Sequence, residues 1–109
     1  MDDVIQVVTT TDKQQIAQAI AESLVEQRLA ACVQVSGPIT SVYRWQGQLE
    51  TATEWHCAIK TVRSLFAAVE SQIRQLHNYA VPEIVVLPLI DGSASYLAWL
   101  RAQVTPQDA

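Results

Sequence analysis

Two amphipathic helical patterns, each set between runs of β-branched residues, leave this chain few ways to fold. Val4 to Thr10 is rich in Val, Ile and Thr and reads as a strand. Thr11-Asp12-Lys13-Gln14 has the form of a capping box, with Thr11 as cap and Gln14 reaching back. Ile16, Ile20 and Leu24 follow at four-residue spacing, with Ala17 and Ala21 beside them, and predict a helix of about four turns. Ala30 to Ser36 predicts a second strand. Gly37-Pro38 interrupts it and Ile39 to Trp45 resumes it, the pattern of a bulge or bend within one long strand. Gln46-Gly47 signals a tight turn. Beyond it Thr53, Trp55, Cys57 and Ile59 alternate with Glu54, His56, Ala58 and Lys60, a period of two that predicts a strand. Phe66, Val69, Ile73 and Leu76 place an apolar stripe on a second helix from about Val62 to Leu76. Pro82 ends that helix, and Glu83 to Ile90 predicts a fourth strand whose Pro88 marks an edge or an end. Asp91-Gly92-Ser93 turns the chain into a short last helix carrying Tyr96, Leu97, Trp99 and Leu100.

The order strand, helix, strand, strand, helix, strand is the split βαβ, ferredoxin-like arrangement. The fold class is therefore α+β: a βαββαβ sandwich with a long hairpin between its second and third strands and a short C-terminal helix. Residues 1–109 are expected to form a single domain, fraying from about residue 105. Right-handed crossovers put both long helices on one face of the sheet. Val4 and Val8 nevertheless alternate with Ile5 and Val7, which supplies apolar residues to both faces. The simplest account is that the bare face or its edges pack against other subunits. Three tryptophans in so short a chain fit an interface.

The net charge of −4 and the pI near 4.9 oppose a phosphate backbone, so nucleic acid is not an expected partner. No apolar run approaches the roughly 20 residues of a membrane span, so no membrane partner is expected either. Met1-Asp2-Asp3 is acidic where a signal peptide needs a basic start. Cys32 and Cys57 are then expected as free thiols in a reducing compartment, and the localisation as cytoplasmic. No nucleophile elbow, Walker A loop or Rossmann glycine pattern occurs, and the reading is a protein that is not an enzyme.

Among possible ligating residues no C-x-x-C, H-x-x-x-H or H-E-x-x-H spacing is present. Cys32 and Cys57 lie on strands that should pair, bringing their thiols near each other. They read either as small buried hydrophobes or, for Cys32, as the basis of a soft Cu(I) site. His77 ends a helix, where the dipole favours a cation, and stands beside Tyr79 and ahead of Glu83. It is a metal candidate or a helix-capping histidine. His56 falls on the polar side of its strand, as a solvated or interface residue. Tyr43, Trp45, Glu54, Lys60, Tyr79 and Glu83, with Arg44 nearby, could converge on a small-molecule cleft. Tyr and Trp would supply an apolar wall, Lys a point charge and Glu a counter-charge. The alternative pairs Lys60 with Glu54 as an ion pair and leaves the aromatics to seal an interface.

Three segments resemble the CutA family of divalent-cation tolerance proteins: Glu26-Gln27-Arg28-Leu29-Ala30-Ala31-Cys32-Val33, Thr40 to Glu50 with Tyr43-Arg44-Trp45-Gln46-Gly47, and Leu76-His77-Asn78-Tyr79-Ala80-Val81-Pro82-Glu83-Ile84. They occur in the family's order, and the resemblance runs from about Val4 to Leu100. It implies a homotrimer with sheets facing a central axis and the long hairpin pairing with a neighbour. It also implies weak binding of copper or another divalent cation near His77, and a response to metal ions; Cys32 is a metal candidate from its thiol alone. No cofactor is required. The segment reads His77-Asn78-Tyr79 where many relatives have His-Pro-Tyr, and the first strand ends Val8-Thr9-Thr10-Thr11 without a Cys. The same resemblance leaves two alternatives: a ligand-binding or signalling trimer akin in architecture to the PII proteins, with a small ligand between subunits, or a protein-interaction scaffold.

Overall fold

A computed structural model describes residues 2–105. Strand β1 (Val4–Thr11) leads to helix α1 (Gln14–Glu26), and β2 (Cys32–Trp45) turns into β3 (Gln48–Val62). A single 3-10 turn, Arg63–Leu65, precedes α2 (Phe66–Leu76), which is followed by β4 (Ile84–Pro88) and α3 (Ala94–Gln103). The four strands form one sheet in the order β2-β3-β1-β4, every neighbouring pair antiparallel. This is the expected ferredoxin-like topology, with β4 and its Pro88 at an edge.

Helices α1 and α2 pack side by side on one face. Ile20 and Leu24 of α1 and Val69 and Ile73 of α2 are fully buried against Val7 and Ile59. Each such side chain contributes about 1.5–3 kcal/mol. Among the described residues, Leu100 joins the same core together with Val4 and Val62, a register pair on the opposite, second face. Tyr96 Oη lies 3.6 Å from Cys32 Sγ on that face too. Helix α3 therefore covers one end of the second face. Its C-terminal end is fastened by Arg28, whose guanidinium donates to the Ala102 carbonyl, and by the Thr105 N–H donating to the Arg28 carbonyl. Expected fraying beyond Thr105 lies outside the described residues. The rest of the second face stays open, with Val85 44% and Leu87 47% exposed.

Four expectations need correction. Thr11 is the last residue of β1 rather than a helix cap. Its hydroxyl accepts from the Lys13 N–H at 3.3 Å and donates to the Asn78 side-chain oxygen at 2.8 Å. Lys13 occupies the cap position without a side-chain cap bond. The second helical segment starts after Val62, because Val62 pairs with Val4 and is buried in the sheet. Strand β4 spans Ile84–Pro88 rather than Glu83 to Ile90, since β1 offers partners only from Ile5 to Thr9. Cys32 and Cys57 do not approach each other as partners. Cys32 pairs with Lys60 while Cys57 pairs with Val35, so alternation sends the two thiols to opposite faces. Cys57 is fully buried, and burial pushes its thiol up to about 11.

The long hairpin carries a β-bulge. Ser36 pairs with His56, but the next pair is Ile39 with Glu54, so Gly37 and Pro38 together face Trp55. Gly37 permits this approach: a Cβ there would stand 2.6 Å from Trp55 Cδ1, at φ +154°. The shift reverses which β2 side chains share a face with β3. Cys32, Gln34 and Ser36 face the same way as Lys60, Ala58 and His56. Beyond the bulge Ser41, Tyr43 and Trp45 take that side. The turn at Gln46-Gly47, with φ +50° and +80°, has the left-handed pair of a type I′ hairpin. Because β1 reaches only to Trp55 along β3, the hairpin beyond it is a two-stranded ribbon, and the described residues extend over 44 × 26 × 22 Å.

One buried hydroxyl is left without a partner among the described residues, Thr9 Oγ1 on the helix-covered face. A buried unpaired hydroxyl costs about 1–3 kcal/mol. Thr9→Val is therefore expected to raise the urea midpoint by up to about 1 kcal/mol in stability, whereas Thr11→Val, which breaks two bonds, lowers it. Equal losses in both variants would refute the assignment.

Candidate functional site

At the root of the hairpin the chain between α2 and β4 folds around the end of β1 and is held there by its own polar groups. His77 Nε2–H donates to the Thr10 carbonyl at 2.7 Å, and His77 Nδ1 accepts from the Tyr79 N–H at 3.0 Å. Because a carbonyl only accepts and an amide N–H only donates, the imidazole is held with its proton on Nε2. Asn78 takes the Thr11 hydroxyl on its oxygen and donates its NH₂ to Asp12 at 2.7 Å. Tyr79 Oη donates to Glu54 Oε2 at 2.7 Å, and the Tyr79 and His77 rings stand 4.9 Å apart. Every polar side chain from His77 to Tyr79 is thus spent on fixing the segment.

The segment closes one side of a cleft of about 690 Å³. Its walls are Tyr43, Trp45 and Tyr79, with Val42 and Val81 adding apolar surface. Thr10, Glu54, Asn78 and Glu83 supply the polar lining. Glu54 is only 5% exposed, while Tyr43 and Trp45 are 41% and 45% exposed. Burial, then the hydrogen bond to Glu54 and that carboxylate's charge, holds the Tyr79 phenol well above its ordinary value. It serves as a fixed proton donor to Glu54.

Five of the six expected cleft residues meet here: Tyr43, Trp45, Glu54, Tyr79 and Glu83. Lys60 does not. It lies six residues further along β3, about 20 Å away at strand rise. Its ammonium donates to Gln34 Oε1 at 2.9 Å, so Lys60 and Glu54 do not form an ion pair within one chain. Arg44 also leaves the cleft, because the bulge turns it to the other side, where its guanidinium donates to the Gly47 carbonyl. Thr10, Val42, Asn78 and Val81 were not singled out in the sequence. Asn78 sits inside the quoted motif, yet its bonds depend on Thr11 and Asp12, 67 and 66 positions away.

The two expected metal residues are not brought together. His77 lies against Thr10, whereas Cys32 is in register with Lys60 at the far end of the sheet, beside Tyr96. Both imidazole nitrogens are already engaged, and among the described residues no three His, Cys, Asp or Glu side chains are grouped to hold a metal. His56 is half-buried on the second face, in register with Thr10 and Ser36. The residues of this single chain therefore do not fit a copper centre at His77 and Cys32.

A split βαβ domain with an overlong bulged hairpin and an aromatic cleft at its root defines a distinct class of small α+β protein. The family of the CutA1 divalent ion tolerance protein matches residues 5–103, and the chain belongs to that family. It is 43% identical over 95 residues to the divalent-cation tolerance protein CutA of Thermus thermophilus, across 87% of this chain and 92% of that one. Human Protein CutA is 43% identical over 88% of this chain, which spans only 53% of the human protein's length. Among solved structures, the Thermus thermophilus protein superposes with a TM-score of 0.91 at 40% identity, covering 94% of this chain and 99% of that one. CutA1 of Oryza sativa superposes with a TM-score of 0.92 at 35% identity, covering 95% of each.

The fold favours the protonated Tyr79. That contribution is complete below the free phenol's value of 10.0 and is lost as pH rises through the higher folded value. Cys57 adds a similar loss between 9.0 and about 11. Tyr79→Phe is expected to cost about 1.5 kcal/mol at neutral pH and to flatten the part of the alkaline decline that begins near pH 10. Denaturant midpoints across the alkaline range check this; a decline unchanged apart from a constant offset would remove Tyr79 from the account.

Proposed function

We propose that this protein is a homotrimer that contributes to divalent-cation tolerance by binding a small ligand in the hairpin-root cleft. It acts as a binding protein and not as an enzyme. The observation that carries this reading is the meeting of Tyr43, Trp45, Tyr79, Glu54 and Glu83 around one cleft whose far wall is pinned by side-chain hydrogen bonds. A pinned wall lowers the ordering cost of binding. The cleft takes its aromatics from the hairpin and its rim from the linker before β4, which suits a sensor whose ligand couples the two.

The case for assembly is the surface that one copy leaves open. Val42 is 63% exposed, Leu49 69% and Ile90 96%, beside the open Val85 and Leu87. β2 and β4 are both sheet edges with unpaired backbone on one side. Pairing one edge with the other edge of a second copy is a heterologous contact, which gives a ring where the rotation closes, as a trimer requires. A reducing, cytoplasmic setting fits thiols that face opposite sides of the sheet.

Direct copper binding through His77 and Cys32 is the weaker alternative, because each has other partners and the two are far apart. Calorimetric titration with Cu(II) is expected to give the same affinity for wild type and His77→Ala; a loss of about ten-fold or more, 1.4 kcal/mol, would restore the metal reading. Light scattering is expected to give three times the 12.0 kDa chain mass, and Val85→Glu with Leu87→Glu to reduce it. A thermal-shift screen of small molecules should find compounds that raise the melting point of wild type but not of Trp45→Ala. A monomeric wild type, or a screen with no Trp45-dependent compound, would overturn the respective half of this proposal.

A further inference from the structure

We infer that the cleft takes a small organic cation, an ammonium group carried on an apolar body; this rests on the reading of the cleft as a ligand site. The inference comes from the sign of the lining. Among the described residues no Lys, Arg or His lines the cleft, whereas Glu54 and Glu83 both do. Of the Lys and Arg residues nearest in sequence to the lining, Arg44 donates to the Gly47 carbonyl, Arg74 pairs with Glu70, and Lys13 lines a separate hollow with Gln14 and Trp55. Asp12, held through Asn78, adds a third carboxylate close to Tyr79. An anionic ligand would meet like charge here.

Glu54 supplies the second, independent observation. It is about nineteen-twentieths buried, at 5% exposure, yet among the described residues it has no ion pair and one hydrogen bond, from the neutral Tyr79 hydroxyl. The Glu54 side chain has no cationic partner among the described residues, and a cation entering the cleft would supply one. Tyr43 and Trp45 stand across the same cleft with their rings open, the surroundings that attract ammonium groups by cation–π contact. A bare divalent ion is a poorer match. Hard cations want about six oxygens in a tight shell, and no three acidic or His and Cys side chains are grouped among the described residues. The volume of about 690 Å³ suits a molecule with a body.

The test is an NMR titration of the full chain, as the assembly it forms, with choline and with its uncharged isostere 3,3-dimethylbutan-1-ol; phenylacetate serves as an anionic aromatic probe. Choline is expected to bind at least about ten-fold more tightly than the isostere, with shifts centred on Trp45 and Tyr79. Glu54→Gln and Trp45→Leu should each weaken choline by a similar factor. Should Glu54→Gln fail to fold, Glu83→Gln on the exposed rim is expected to weaken choline measurably while leaving the isostere unchanged. Equal binding of choline and the isostere, or preference for phenylacetate, would overturn the cation assignment and leave the cleft reading intact. Silence from every probe, together with a screen that finds no Trp45-dependent compound, would sink both. Binding of Zn(II) that Glu54→Gln abolishes, with none of choline, would replace the organic cation by a metal.

Discussion

The register shift at Gly37-Pro38 is the constraint on which the working end of this molecule depends. Were the same residues of β2 paired with β3 without a bulge, alternation would carry Arg44 to the side of Glu54 and send Tyr43 and Trp45 to the other. The cleft would then hold a guanidinium in place of two rings. One inserted residue therefore sets both the shape and the sign of the site. Gly37 is needed because Trp55 leaves no space for a Cβ, so the cleft's chemistry traces back to a steric contact on the opposite side of the strand.

Much of the architecture was legible because its signals are local. Ile16, Ile20 and Leu24 repeat at a helical spacing, and Thr53 to Lys60 alternate at a strand spacing, whatever lies around them. The errors came where a residue's partner is remote. Thr11 has the side chain of a cap, but β3 holds it in the sheet and its hydroxyl reaches Asn78. Val62 looks like the start of a helix until it is seen paired with Val4. The site divided in the same way. Tyr79 and Glu83 sit in a segment conspicuous for its mixture of ring, amide and carboxylate. Lys60, expected to join them from the end of the third strand, is six residues of strand rise away within one chain. The bulge itself was visible at Gly37-Pro38, but its effect on Arg44 required the register of the pairs on either side.

His77 illustrates how one residue type admits two readings. An imidazole at a helix end beside a tyrosine invites a metal, and the sequence offers no way to know that both nitrogens are occupied. The Thr10 carbonyl and the Tyr79 N–H use them to hold the linker against β1. The structural role fits the chemistry of the neighbours: Asn78 bridges Thr11 and Asp12, and Tyr79 reaches Glu54. Four consecutive attachments of this kind convert a loop into a rigid wall, and a rigid wall is what a weakly binding small ligand needs.

In the proposed trimer, assembly and ligand binding would share the same surfaces, and each would depend on the other. A two-stranded ribbon is marginal by itself in water, and the tip of this one exposes Val42, Tyr43, Trp45 and Leu49. The side chains that most need cover are thus partly the side chains that form the cleft. If a second copy lies along the ribbon, it orders Tyr43 and Trp45 before any ligand arrives, and the ligand meets a pocket with little left to rearrange. Filling the cleft would in turn hold Trp45 in the position the neighbour needs. Linkage requires that coupling to run equally in both directions, so such a trimer would gain a means of reporting occupancy through the stability of its assembly.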